Sequence, residues 1–288
     1  MQTLGAPPQA GTARPAAAMP RADALSTQGL SPAFDLQLLA RIEDAGLNAS
    51  APPQQRMLGG WVLRLSPGKA KRARCVNALA VGRLPLADLL ARAEAAFQQA
   101  GLPFIVRITP FTQPPTLDDT LAARGLLRFD DSRVMVRERL DDLPPPVLSP
   151  GAVFEAPGHG AFAEAVGRLR GSPLAQRQAH AERLRASPVP YAGVLLKRAG
   201  ELLACGQVAV EDDLVGLYDV FTAPAWRRRG LAQALCLHLL RMAQGQGARC
   251  AYLQVDAANA VARRLYQRLG FVDAYGYHYR CATPTLGS

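Results

Sequence analysis

The 288-residue chain is short of acidic side chains, of aromatics and of clustered metal ligands. Its 33 Lys and Arg outnumber 23 Asp and Glu, which leaves a net charge of +10. That balance favours anionic partners: phosphate-bearing cosubstrates, nucleic acid or acidic surfaces. Most of the positive charge is Arg, the better bidentate phosphate ligand. Five cysteines (Cys75, Cys205, Cys236, Cys250 and Cys281) are widely spaced, with no C-x-x-C pair, and the four histidines are scattered. Neither a disulfide framework nor a zinc site is indicated, so no metal is expected. No apolar run is long enough to span a bilayer. Residues 1–30 are rich in Ala, Pro and Gly and lack the apolar core of a signal peptide. They are expected to form a disordered leader, with the cytoplasm as the default location.

What remains is a globular composition, 49% apolar, long enough for one large domain or two ordinary ones. "SPAFDLQLLARIEDAGLNAS" predicts a capped helix with Phe34, Leu38 and Ile42 at four-residue spacing. "GGWVLRLSPG" alternates like a strand, and "RCVNALAV" reads as its hairpin partner. The helix "LADLLARAEAAFQQAG", the strand "LPFIVRIT", the short helix "TLDDTLAARG" and the strand "LLRFDDSRVMVRERL" follow. "DDLPPPVLSPG" then concentrates proline and sustains neither helix nor central strand. The expected division is a first domain over 31–140, a linker over 141–150 and a second domain over 151–288.

The second half reads as a strand, two helices and three strands. A helix from Arg228, the strand "RCAYLQVD", the helix "NAVARRLYQRLG" and a last strand complete it. Gly101 and Gly125 punctuate the first half as Gly247 and Gly270 punctuate the second, at nearly the same spacing. The pattern is that of a diverged internal repeat.

"TAPAWRRRGLAQAL" (222–235) sits between a strand and a helix. Pro224 ends the strand, since it cannot donate to a ladder. Leu231, Leu235 and Leu239 set the helical stripe. Residues 228–232 would form the helix's first turn, where free N–H groups and the macrodipole favour negative charge. Three arginines oppose that dipole, which makes sense if an anion binds. Gly230 would let a phosphate approach the backbone and Ala232 keeps the next turn small. A nucleic-acid patch is a weaker reading, because the next basic residue along the helix is Arg241.

Val220 to Ala232 resembles the acyl-CoA signature of the GNAT superfamily of N-acetyltransferases, with Arg227, Gly230 and Ala232 at the motif positions. A second match is "NAVARRLYQRLGF", carrying Asn259, Ala262, Tyr266, Gly270 and Phe271. Asn259, Ala262, Arg263 and Tyr266 fall on one helix face, with Val261, Leu265 and Leu269 expected to face the core. The similarity covers roughly residues 150–281.

The resemblance implies an α/β fold: a mixed, mostly antiparallel sheet with helices on both faces and a splayed strand, in two similar domains. It implies acetyl-CoA as cosubstrate, bound by Val220, Phe221 and Thr222 of the splayed strand. The turn residues Arg227, Arg228, Arg229, Gly230, Leu231 and Ala232 would cradle the pyrophosphate, and Asn259, Ala262, Arg263 and Tyr266 would complete the site. The acceptor would be an amine, as a small molecule or a peptide. Tyr266 would be the general acid for the departing thiolate, and the Val220 or Phe221 amide would meet the oxyanion. Family members often place a Glu near the position of Gly216. This sequence departs there, leaving Tyr218, Asp219, Glu211 or a water as the base.

The first half lacks the R-x-x-G-x-A pattern and has Leu121 where Tyr266 stands in the second. It is expected to have lost acetyl-CoA binding and to help shape the acceptor pocket. "KAKRAR" (69–74) reads as a solvated strand or loop face, with contact to an anionic substrate as the alternative. The alternatives are a CoA sensor without turnover, against which Tyr266 argues, and a nucleic-acid binder. A homodimer is left open.

Overall fold

The computed structural model describes residues 29–68 and 70–283. The expected leader over 1–30 lies outside them except for Gly29 and Leu30, and Leu30 bridges to Tyr275. The first half runs α1 (Leu36–Ala49), β1 (Gln55–Leu58), β2 (Trp61–Arg64), β3 (Val76–Ala78), α2 (Leu86–Gln99), β4 (Val106–Ile108), α3 (Leu117–Ala123) and β5 (Leu127–Arg137). The second runs β6 (Ala152–Glu155), α4 (His159–Leu169), α5 (Leu174–Arg185), β7 (Tyr191–Arg198), β8 (Glu201–Glu211), β9 (Leu214–Thr222), α6 (Leu231–Gly245), β10 (Cys250–Asp256), α7 (Ala260–Arg268) and β11 (Val272–Cys281). Among these residues no helix is long and apolar enough to cross a membrane.

All strands join one 11-stranded sheet in the order β1-β2-β3-β4-β11-β5-β10-β9-β8-β7-β6. Only β3/β4 and β9/β10 pair in parallel. The mixed, mostly antiparallel α/β class expected above is what the chain forms. No helix or strand spans the stretch between Arg137 and Ala152, yet the sheet does not divide there. Instead β11, the last strand, inserts between β4 and β5, while β5 separates β10 from β11. Read outward from the β5/β11 pair, the order is the same on both sides: β4-β3-β2-β1 against β10-β9-β8-β7, with β6 as an extra edge strand.

Side-chain alternation along the strands supplies two faces. On β5, Val134 and Val136 pack with α1, α4 and α5, whereas Met135 packs with α6 and α7. The α6 stripe is buried as its spacing predicts, with Leu235 and Leu239 at 0% exposure. A third cluster joins α2 and α3 to β2, β3 and β4 around Trp61, Phe97 and Leu121. A buried ion pair fastens α1 across the centre of the sheet. Arg107 of β4 donates to both Glu43 oxygens, and the Tyr275 hydroxyl of β11 donates to Glu43 Oε2 at 2.7 Å.

Candidate active site

The site begins where two parallel strands part. The β9/β10 ladder runs from Leu214↔Cys250 to Leu217↔Leu253 and stops there, although both strands continue. On its other side β9 bulges against β8. Tyr218 pairs with Gln207 and Phe221 with Cys205, so three steps on β9 oppose two on β8. Asp219, inside the bulge, takes a left-handed φ of 51°. The splay expected of this strand is therefore present, centred on Asp219 and Val220.

Past β9, Pro224–Trp226 make one 3-10 turn and the chain turns again at Arg228 (φ 61°) and Gly230 (φ 75°). Those left-handed residues break the helical path, so α6 starts at Leu231 and not at Arg228 as the sequence suggested. The arginines lie in the approach to the helix. Gly230 is the N-cap, and no side chain caps this end, which leaves the first-turn amides available. Space around Gly230 is open: a Cβ built there would meet nothing within 4 Å.

A groove of about 620 Å³ runs between this turn and α7. Of the residues expected to bind the cosubstrate, it gathers Val220, Phe221, Thr222, Arg227, Arg228, Gly230, Leu231, Ala232, Asn259, Ala262 and Tyr266. Two expected members are turned elsewhere. Arg229 lies over the Trp226 ring, 4.7 Å from its centroid, and Arg263 pairs with Asp273 and reaches toward the Ala257 carbonyl. Val261 is 71% exposed and lines the groove, not the core as its spacing suggested. Val261, in the first turn of α7, lines the groove with Ala262, Leu265 and Tyr266, while Leu269, just past the helix, is buried. Leu265, also expected to face the core, lines the groove while packing against the core cluster, and Arg268 and Trp226, which motif reading missed, line it too.

A second cavity of about 330 Å³ opens on the other side of the splay. Val220, Asn259, Ala262 and Tyr266 line both cavities. Asn259 also caps α7, its Oδ1 accepting from the Ala262 amide at 3.1 Å. Tyr266 is 8% exposed and its ring meets Phe271 edge-on at 6.1 Å. Burial raises the phenol's pKa above its ordinary value, with the neighbouring Cys236 adding to the effect. The hydroxyl therefore stays protonated at neutral pH.

The base candidates fare differently. Burial alone would raise the Asp219 pKa, but His180, Arg170 and Arg183 outweigh it and hold the carboxyl far below the usual range. Arg170 Nη1 reaches its Oδ1 at 2.8 Å, Gln207 Nε2 its Oδ2 at 2.6 Å, and His180 Nε2 lies 3.2 Å from Oδ2. So encumbered a carboxylate is a structural anion and a weak base. The Tyr218 hydroxyl is hydrogen-bonded to that of Tyr252 at 2.9 Å, and burial pushes the Tyr218 pKa well up. Glu211 accepts from Asn48 at 2.8 Å and lines a separate cavity. At Gly216, a Cβ would stand 2.5 Å from the Tyr218 ring and 2.7 Å from the Tyr252 ring. The two tyrosines fill the space a longer side chain would need.

"KAKRAR" is not a solvated face. Lys71–Ala73 form a 3-10 turn, Lys71 pairs with Asp130, and half-buried Arg72 lines the second cavity. Arg72 donates to Gln254 Oε1 and stands over the Tyr218 ring, 5.8 Å from its centroid. Nothing local in the sequence signals that, because the contacts are made by β9 and β10, far along the chain. His180 and Arg183 were likewise visible only as polar positions of α5.

The splayed strand, the uncapped helix start and the two cavities thus meet around one phenol. Residues 163–271 match the Acetyltransferase (GNAT) family, and the chain carries an acetyltransferase domain of that family. It is similar to the uncharacterized N-acetyltransferase YobR of Bacillus subtilis (strain 168), 26% identical over 232 residues, which is 78% of this chain and 91% of that protein. Among solved structures, the fold matches a GCN5-related N-acetyltransferase from Kribbella flavida with a TM-score of 0.62 at 18% identity, over 86% of this chain and 96% of that one. It also matches a tandem GNAT protein from the clavulanic acid biosynthesis pathway with a TM-score of 0.60 at 17% identity, over 91% and 93% of the two chains.

Proposed function

We propose that this protein transfers an acetyl group from acetyl-CoA to a primary amine by direct attack, with Tyr266 as the general acid. The observation that carries the reading is that Tyr266 lines both cavities, with Val220, Asn259 and Ala262 beside it. A thioester entering from the α6 side and an amine entering from the other would meet at its hydroxyl.

The residues fit the cosubstrate. The open space at Gly230 and the uncapped amides of α6 suit a pyrophosphate, and Arg227 and Arg228 add charge at the rim. The exposed edge of β9 past the bulge would pair with the pantetheine amides. In the transfer, the amine nitrogen bonds to the acetyl carbon and the C–S bond breaks. The electron pair leaves on sulfur, which takes the Tyr266 proton, the amine's proton passes to water, and Tyr266 is reprotonated from that water. The Val220 amide, at the junction of the cavities, is the proposed oxyanion donor. With Asp219 held ionised and Gly216 unable to carry a carboxylate, water is the proposed base.

We read the N-terminal half as a diverged copy that no longer binds acetyl-CoA. Its strand order mirrors that of the second half, and buried Leu121 stands where Tyr266 would. Its contribution is the wall carrying Arg72.

Thiol release from acetyl-CoA across an amine panel tests the reading. Tyr266→Phe is expected to lower turnover by about 10²–10⁴-fold, the usual scale of general acid catalysis, while the calorimetric Kd for acetyl-CoA stays unchanged. Unchanged turnover would remove Tyr266 from the acid role. Binding of acetyl-CoA with no turnover on any amine would favour a sensor.

A further inference from the structure

The acceptor cavity and a neighbouring pocket of about 230 Å³ share Arg170, Arg183 and Asp219. Their charges do not balance. Asp219 is already engaged by Arg170, Gln207 and His180. Asp256, the other acid on the wall, accepts from the Ala258 amide at 2.7 Å. Arg72 and Arg183 both line the cavity, and among the described residues neither is paired with a carboxylate. Arg72 enters from the first half of the chain and Arg183 from α5.

A half-buried guanidinium with no ion pair of its own, Arg183 acting on Asp219 only at longer range, costs free energy. Its planar fork matches a carboxylate or a phosphate. We infer that the acceptor is an amine that also bears an anionic group, most simply the carboxylate of an amino acid or short peptide, which Arg72 and Arg183 receive while the amine is presented to Tyr266. The inference rests on the acetyl-transfer reading. Arg72 and Arg183 are positioning residues, and the anionic group passes through the reaction unchanged.

Paired probes differing only in that charge provide the test: L-alanine and L-alaninamide, glycylglycine and its amide, O-phosphoethanolamine and ethanolamine. Each is measured by kcat/KM for thiol release and by calorimetry on the CoA-saturated protein. One charge-assisted contact corresponds to a preference of about tenfold or more for the anionic member. Arg183→Gln, on a helix surface, is expected to remove that preference through KM, leaving the affinity for CoA unchanged. Arg72→Gln should act alike, with Arg72→Lys restoring part of the preference. A preference confined to O-phosphoethanolamine would support the inference with phosphate as the anion. Neutral partners used equally well would overturn it and leave acetyl transfer standing. Anionic probes that bind but release no thiol would overturn acetyl transfer and leave the anion site standing. No binding and no turnover of any probe would overturn the inference.

Discussion

Gly230 combines a left-handed φ with open space on the side where a Cβ would project. The two properties separate by mutation. Gly230→Ala should cost stability by about 1–2 kcal/mol, the left-handed penalty for an L-residue, and retain acetyl-CoA binding. Gly230→Glu should abolish binding, because a carboxylate and the pyrophosphate would contend for the same amides. Calorimetry distinguishes them, and retained binding in the Glu variant would sink the pyrophosphate assignment. Tyr266 illustrates another residue-scale point. Its raised pKa follows from burial, with Cys236 adding to it, so the phenol stays protonated, as the proposed acid role requires.

Among the elements, β9 decides the site. Its first residues, Leu214 to Leu217, are held in a parallel ladder, and the bulge at Asp219 then releases it from β10. The release is stabilised on α4 and α5 by Arg170 and His180, which grip Asp219. Packing beneath β9 explains the departure at Gly216. Gly216→Glu should fail to supply a base and should destabilise the protein, since its Cβ would stand 2.5 Å and 2.7 Å from two tyrosine rings. Overpacking of this kind costs typically 1–3 kcal/mol. Raised turnover with unchanged Tm would contradict this account. The Glu43–Arg107–Tyr275 cluster ties α1 to β4 and β11. Glu43→Ala would strand a buried guanidinium and should cost about 3–5 kcal/mol, read from denaturant unfolding.

At the scale of the whole molecule, each half holds a strand that the other needs. A fragment of residues 151–288 would lose β5 from between β10 and β11, and β4 from the far side of β11. Its β11 would have no partner and β10 an open edge. The fragment is therefore expected not to form a folded monomer, and a monodisperse monomer with cooperative unfolding would refute this. Acid sensitivity is also a property of the whole. The Glu43 pKa is lowered, because Arg107 and Tyr275 outweigh the burial that would raise it, so its stabilisation is present above the ordinary 4.5 and lost as pH falls toward the depressed value. Burial lowers the pKa of His238, stacked on Phe154 at 3.9 Å. The unfolded chain then takes up a proton below about 6.5 that the folded chain refuses. Tm should thus be highest near neutrality, fall below about 6.5 and fall more steeply below about 4.5. A flat profile would show that these groups do not govern stability.

The sequence by itself determined the parts that depend on neighbours along the chain. The stripe of α6 and the strand-to-turn-to-helix passage at Pro224 and Gly230 are set within a few residues, so the turn and most of the groove beside it were legible in the sequence, whereas the cap at Asn259 was seen only in the structure. The sequence misplaced the arginines by a turn, because a left-handed Arg228 has no compositional signature. Only the tertiary structure decided the second cavity, where we place the acceptor. Arg72 of the 3-10 turn, Arg183 of α5 and Asp219 of β9 line one cavity, and their charges acquire meaning only when counted together there. Nor could periodicity show that β5 and β11 lie side by side at the centre of one sheet. Strand pairing is a long-range choice, made by which edges are free once the local elements have formed.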